Sequence, residues 1–361
     1  MKNTIYFTLL LSLCTWLSCQ NSSQTNPRDQ ADFAKIDLHS HYRSDRVFLQ
    51  PLLEHWNMKT VLVEVSKDDS TGQHSYWNEI QSHRDRYPQR FYLCGGFNGH
   101  GIDDPLFVER TIQELQTQID QGAVMIKVWK NFGMVDKDSS GKYIQIDDPR
   151  LQPVWDFLVE QNLPVLAHIG EPLQAWRPLQ EGNPHYNYYS NNPQYHAYQH
   201  PEIPSYETII QARDNWLANN PKLTIIGAHM GSMSHDVDMV AERLDKYPNF
   251  YVEPAARFGD LAGQDSEKVR AFMIKYQDRI MYGTDLSTSG LAADETPEQT
   301  ENRRKFIERL IELHWEYFSG VDSLYYDSPM ISFPVQTRSL NLSNDVLRKI
   351  YAQNAERILG I

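Results

Sequence analysis

The chain has 361 residues, with 34 Lys and Arg against 47 Asp and Glu, a net charge of −13 and no basic run, which excludes nucleic-acid binding. Hydrophobic residues reach 40% and are spread along the chain, too apolar for intrinsic disorder and too interrupted for a multispanning membrane protein. Three cysteines, at positions 14, 19 and 94, are too few and too scattered for a disulfide framework or a CxxC zinc site.

The N-terminus carries a targeting pattern. Lys2 precedes an apolar stretch from Ile5 to Leu13, so residues 1–18 read as a signal peptide. Cys19 follows the small Ser18 and resembles the acylated cysteine of bacterial lipoproteins. Residues 19–33, rich in Gln, Asn and Ser, suit a flexible tether behind such an anchor. The expectation is a bacterial envelope protein that faces the periplasm and meets the membrane only through lipid on Cys19. An ordinary cleaved signal is the alternative and leaves the protein secreted. Cys94 then has no partner in the mature chain and is expected in the core.

From residue 34 to 361 short apolar runs alternate with amphipathic stretches, the pattern of a parallel sheet in an α/β domain. Eight runs stand out: Ala34 to His39, Thr60 to Val65, Arg90 to Gly95, Ala123 to Val128, Leu163 to His168, Leu223 to His229, Asn249 to Glu253 and Ile280 to Thr284. Helices are expected over Pro105 to Gln121, Leu151 to Gln161, Tyr206 to Asn219, Ser234 to Lys246 and Asp265 to Tyr276, with a capped closing helix after Ser343. Eight such units predict a TIM-type (β/α)8 barrel as a single domain, because closure removes the edges of an open sheet. Two long connections, 171–205 and 287–302, follow strand C-termini and should cover the active face.

The chemistry lies where histidines and one aspartate meet strand ends. His39 and His41 close the first run two residues apart, and strand alternation turns both to one side. His168 closes the fifth run, His229 the sixth, and Asp285 follows the eighth. Four imidazoles and a carboxylate are a donor set for Zn²⁺, Mn²⁺ or Fe²⁺.

His-x-His on strand one, His on strands five and six and Asp after strand eight resemble the amidohydrolase superfamily. The phrases Thr224-Ile225-Ile226-Gly227-Ala228-His229-Met230-Gly231 and Tyr282-Gly283-Thr284-Asp285 resemble its amidohydrolase-related branch, amidohydrolase family 2, with similarity from Asp32 to the C-terminus. The resemblance implies His39, His41, His168 and Asp285 as metal ligands, with His229 at the metal or beside it. It implies one or two ions, zinc foremost. Lys127, ending the fourth strand, is either a carbamate bridging two ions or a charged lysine facing substrate or acid.

The reaction this implies is hydrolysis of an amide, lactone or ester of a small, carboxylate-bearing molecule. A metal-activated water attacks, Asp285 is the general base, and His229 steadies the oxyanion. A decarboxylase of an unsaturated or aromatic acid on the same ligands is the alternative, and a non-catalytic binding lipoprotein is a third reading. Arg43, Trp129, Lys130, Glu171, Arg177 and Arg257 are candidate substrate contacts. The aromatic and imidazole groups of 171–205 suit a lid, a self-packed loop or a contact between copies in a homo-oligomer.

Overall fold

A computed structural model describes residues 30, 32–43, 46–65, 76–288, 295–328 and 330–361. The expected signal peptide, Cys19 and most of the tether lie outside the described residues, as does the middle of the 287–302 connection. No described helix is long and apolar enough to cross a membrane.

The expected runs form parallel strands: β1 (Lys35–His41), β2 (Met58–Val63), β3 (Phe91–Gly96), β4 (Ala123–Val128), β5 (Val165–Ala167), β6 (Ile225–Gly227) and β7 (Phe250–Val252). A two-residue β8 (Leu286–Ser287) pairs with the end of β1, giving the order β7-β6-β5-β4-β3-β2-β1-β8. The eighth run differs from the expectation. Its first residues, with Arg279 just before them, close the barrel through hydrogen bonds of 3.0 Å each: Val252 N–H to the Arg279 carbonyl, Met281 N–H to the Val252 carbonyl, and Leu38 N–H to the Tyr282 carbonyl. The run then breaks because Asp285 takes a left-handed φ of 59°, which no strand accommodates. β6 stops short of His229 for the same reason: His229, Met230, Gly231 and Ser232 have φ of 58°, 59°, 62° and 61°.

Inside the barrel sit Ile36, Leu38, Val61, Val63, Cys94, Met125, Leu166, Ile226 and Met281, closed below by Ala352, Ala355 and Leu359. Cys94 is the free, buried core residue expected. A larger apolar layer joins the strands to the surrounding helices, among them Phe107–Asp120, Gln152–Glu160, Tyr206–Asn219, Val237–Lys246 and Ser266–Lys275, all near their expected places. Side-chain caps start several of them, Asp265 on Lys268 N–H at 2.8 Å for example.

Three pieces gather over the C-terminal ends of the strands. The 171–205 insertion folds into short helical turns around Tyr186–Asn191 and packs on itself, with Tyr189 stacked on His196 at 5.4 Å. A hairpin that the sequence reading did not anticipate, Ser323–Tyr326 with Val335–Arg338, brings Met330, Ile331 and Ser332 to the mouth. The third piece is the left-handed turn at 229–232.

Candidate metal centre

Barrel closure brings together all five predicted donors. His39–His41, His39–His229 and His168–His229 ring centroids are 5.2, 5.1 and 4.2 Å apart. Strand alternation alone does not explain this, because Leu38 also faces inward. The pairing register of β1 against β2 slips between Asp37 and Ser40, and such a bulge re-aims the side chains that follow it.

Three of the imidazoles spend one nitrogen on the protein. His39 Nδ1 donates to Glu253 Oε1 at 2.8 Å, His41 Nδ1 to the Val63 carbonyl at 3.2 Å, and His229 Nδ1 to the Ala255 carbonyl at 2.7 Å. Each Nε2 is thereby left with its lone pair. These atoms converge on Asp285, at 3.5 Å for His39, 3.1 Å for His41 and 4.0 Å for His229. His168 Nε2 is buried and has no hydrogen-bond partner. Burial pushes all four rings toward the neutral form a ligand needs, His39 and His168 well below the ordinary histidine value and His229 to about 3. Against burial, which would raise it, His39 and His41 hold the Asp285 carboxyl well below the usual carboxylate range. Neutral nitrogens with fixed tautomers, one ionised carboxylate and an unpartnered buried Nε2 fit a divalent first-row cation.

The family model for amidohydrolases matches residues 61–361. The chain belongs to the amidohydrolase family. Among solved structures it is similar to 2,6-dihydroxybenzoate decarboxylase from Rhizobium, at 14% identity and TM-score 0.51, covering 91% of this chain and 99% of that one. The 2,6-dihydroxybenzoate decarboxylase complexed with 2,6-dihydroxybenzoate gives 14% identity and TM-score 0.52, covering 91% and 100%. A structure described as amidohydrolase II gives 15% and 0.50, covering 91% and 100%. At these identities the likeness shows the shared fold. No curated protein matches.

Two acids brace this amidohydrolase site, and neither was singled out in the sequence. Glu253, fully buried just after β7, accepts from His39, from His229 N–H at 3.1 Å and from Ala255 N–H. Asp37 accepts from His39 N–H at 3.1 Å within β1 and ties that strand to the eighth run through Thr284 N–H at 2.9 Å and the Thr284 hydroxyl. A carboxylate just after β7 and one inside β1 were the available signal; His39 and Thr284, the partners that join them to the rest of the site, lie more than two hundred residues away. Lys127 is buried with Nζ 3.1 Å from His39 Nε2, and burial lowers its amine to about 8.

A cavity of about 300 Å³ opens beside the donors, lined by His168, His229 and Asp285 together with Glu171, Arg257, His185, Tyr188, Tyr189 and Ile331. Of the predicted substrate contacts, Arg257 and Glu171 reach it. Glu171 is spent on the protein, paired with Lys130 and accepting the Tyr189 hydroxyl at 3.2 Å. Lys130 also lies over the Tyr195 ring, 3.4 Å from its centroid. Trp129 packs edge-on against His168, Arg43 lies 3.7 Å over the Tyr76 ring, and Arg177 is exposed; none of these three lines the cavity. Arg257 differs: its guanidinium bonds the Ala256 carbonyl, and its buried Nε has no partner.

Proposed function

We propose that this amidohydrolase is a metal-dependent hydrolase cleaving an amide, lactone or ester bond of a small, carboxylate-bearing molecule. The observation that carries the reading is the Asp285 carboxylate, 3.1 Å from His41 Nε2 on one side and open to the cavity where Arg257 stands. A divalent ion, zinc by its preference for imidazole nitrogen, held by His39, His41, His168, His229 and Asp285 supplies the Lewis acidity that polarises a carbonyl and acidifies water. Asp285 stays ionised, so it can take a proton from the attacking water and return it to the leaving group. Arg257 binds the substrate carboxylate with donors the protein leaves open. Neutral His229 gives its only ring N–H to the Ala255 carbonyl, which favours a ligand role over the oxyanion-donor role. Lys127 stands beside His39 as an amine in the one-ion form, or as a carbamate if a second ion is bound.

Decarboxylation is a second reading. Tyr188, Tyr189, Met330 and Ile331 wall the cavity, and an apolar wall suits an aromatic or unsaturated acid whose carboxylate is to be lost. Turnover in ¹⁸O-labelled water separates the two: label in the product carboxylate supports hydrolysis, and CO₂ release with no label in the remaining organic product overturns it. A ligand that binds metal-loaded protein and is never transformed would favour the binding-protein reading. We further propose that the enzyme is anchored to the bacterial envelope by lipid on Cys19, facing the periplasm.

A further inference from the structure

The cavity holds a second polar group of residues that takes no part in gathering the metal donors. His185, from the 171–205 insertion, is buried, and its Nε2 lies 2.9 and 3.2 Å from the two carboxylate oxygens of Asp260. Asp260 is held by the Ser234 hydroxyl, and the Gln264 amide bonds the carbonyls of Ser234 and Asp260 at 2.9 and 3.0 Å. This brace fixes the orientation of His185: Nε2 is spent on the carboxylate, and Nδ1 is left for another partner. Nδ1 has no hydrogen-bond partner among the described residues, although His185 lines the cavity with Asp285 and Arg257. Arg257 stands three residues before Asp260 with its own Nε unpartnered. Two polar groups are thus left open in one small cavity whose acids are already engaged, Glu171 by Lys130 and Asp285 beside His41.

We propose that His185 is a substrate-contacting residue and that the substrate, besides its scissile bond and its carboxylate, carries a free hydroxyl. The carboxylate meets Arg257, and the hydroxyl, which can donate or accept, hydrogen-bonds His185 Nδ1. This rests on the reading of the cavity as a carboxylate site. A ligand lacking the hydroxyl leaves Nδ1 desolvated and unpaired, so the preference is built into the fixed ring.

The test is isothermal titration of zinc-loaded protein with matched acids: 4-hydroxybutyrate against butyrate, and 5-hydroxypentanoate against pentanoate. At least one hydroxy acid should bind about fivefold more tightly than its parent, the fold-change of one hydrogen bond. His185→Gln should erase that preference, because the glutamine amide reaches Asp260 as Nε2 does but offers nothing at Nδ1. Arg257→Gln should weaken both acids of a pair alike. Equal binding within both pairs by the wild type, or a preference surviving in His185→Gln, overturns the role of His185. If Arg257→Gln leaves both affinities unchanged, or no acid binds, the carboxylate reading itself fails. Histidine ¹⁵N spectra of the wild type provide a measurement that does not depend on the variants folding. The His185 Nδ1 signal should shift with 4-hydroxybutyrate and not with butyrate, and an unmoved signal overturns the contact.

Discussion

Glu253→Gln tests whether the metal donors are held by the residues behind them. Glu253 Oε1 accepts from His39 Nδ1 and His229 N–H, and Oε2 accepts from Ala255 N–H. Glutamine has one acceptor oxygen. With that oxygen in the Oε1 position the Ala255 N–H faces an NH₂ group; flipped, the two histidine N–H groups do. The first arrangement costs less, one charge-assisted bond and an opposed donor, and relief of the buried charge offsets part of it. We expect about 1–3 kcal/mol of lost stability. The neutral amide also withdraws the negative charge that makes His39 a better ligand, so zinc affinity should fall about 10–100-fold. Competition with a chromogenic chelator reads the affinity, and thermal melting reads the stability. A variant binding zinc as tightly as wild type would refute the argument. A loss far beyond the expected range would make Glu253 itself a ligand.

Asp285→Asn should lower turnover about 10²–10⁴-fold on whichever ester, lactone or amide a screen identifies, with little change in melting. Asparagine tolerates the left-handed φ of 59° at this position, so full activity in the variant would show that the base is misassigned. His314 gives the acid limb of stability. It is stacked 3.6 Å from Phe258, and burial lowers its pKa from 6.5 to about 3. The folded state therefore binds its proton less readily than the unfolded chain. Its stability contribution is complete above pH 6.5 and is lost as pH falls toward 3, by about 1.4 kcal/mol per unit. Urea midpoints for wild type and His314→Gln should converge or cross over that window, and parallel curves would refute the assignment. Cys19→Ala should move the protein from the membrane fraction to the soluble fraction, and unchanged fractionation would remove the lipid anchor.

What the sequence made legible is chemistry that is unusual at the end of a strand. His39, His41, His168, His229 and Asp285 could be picked out because imidazoles and a carboxylate recur where apolar runs stop, and the structure brings all five together. The strands were legible for the complementary reason: runs such as Val165–Ala167 are apolar on both faces, as a strand buried on both sides must be. Glu253, Asp37 and the His185–Asp260 pair were not legible, because each acquires its role only from a partner that closure supplies. Asp37 looks like one acid among many until the eighth run arrives beside β1 and Thr284 donates to it twice. Likewise the bend that shortens β8 comes from the φ of Asp285, which no propensity of the run 280–284 announces.

Seam and site are therefore one object, and this has a measurable consequence. Asp37 stands two residues before His39, and Thr284 one residue before Asp285, so the bonds between them set the spacing of two metal donors. Thr284→Val removes the hydroxyl donor to a buried carboxylate, a cost of about 1–3 kcal/mol, and lets the two donors drift apart. Melting temperature and zinc affinity should fall together. Asn354 makes a seam of similar weight at the far end of the barrel, donating to the Gln277 and Ile280 carbonyls at 2.7 Å each. Asn354→Ala should lower the melting temperature by a comparable amount and leave zinc affinity unchanged. If both variants lose zinc in proportion to their loss of stability, the donors respond to the fold as a whole, and the local coupling argued from the Asp37–Thr284 bonds is wrong.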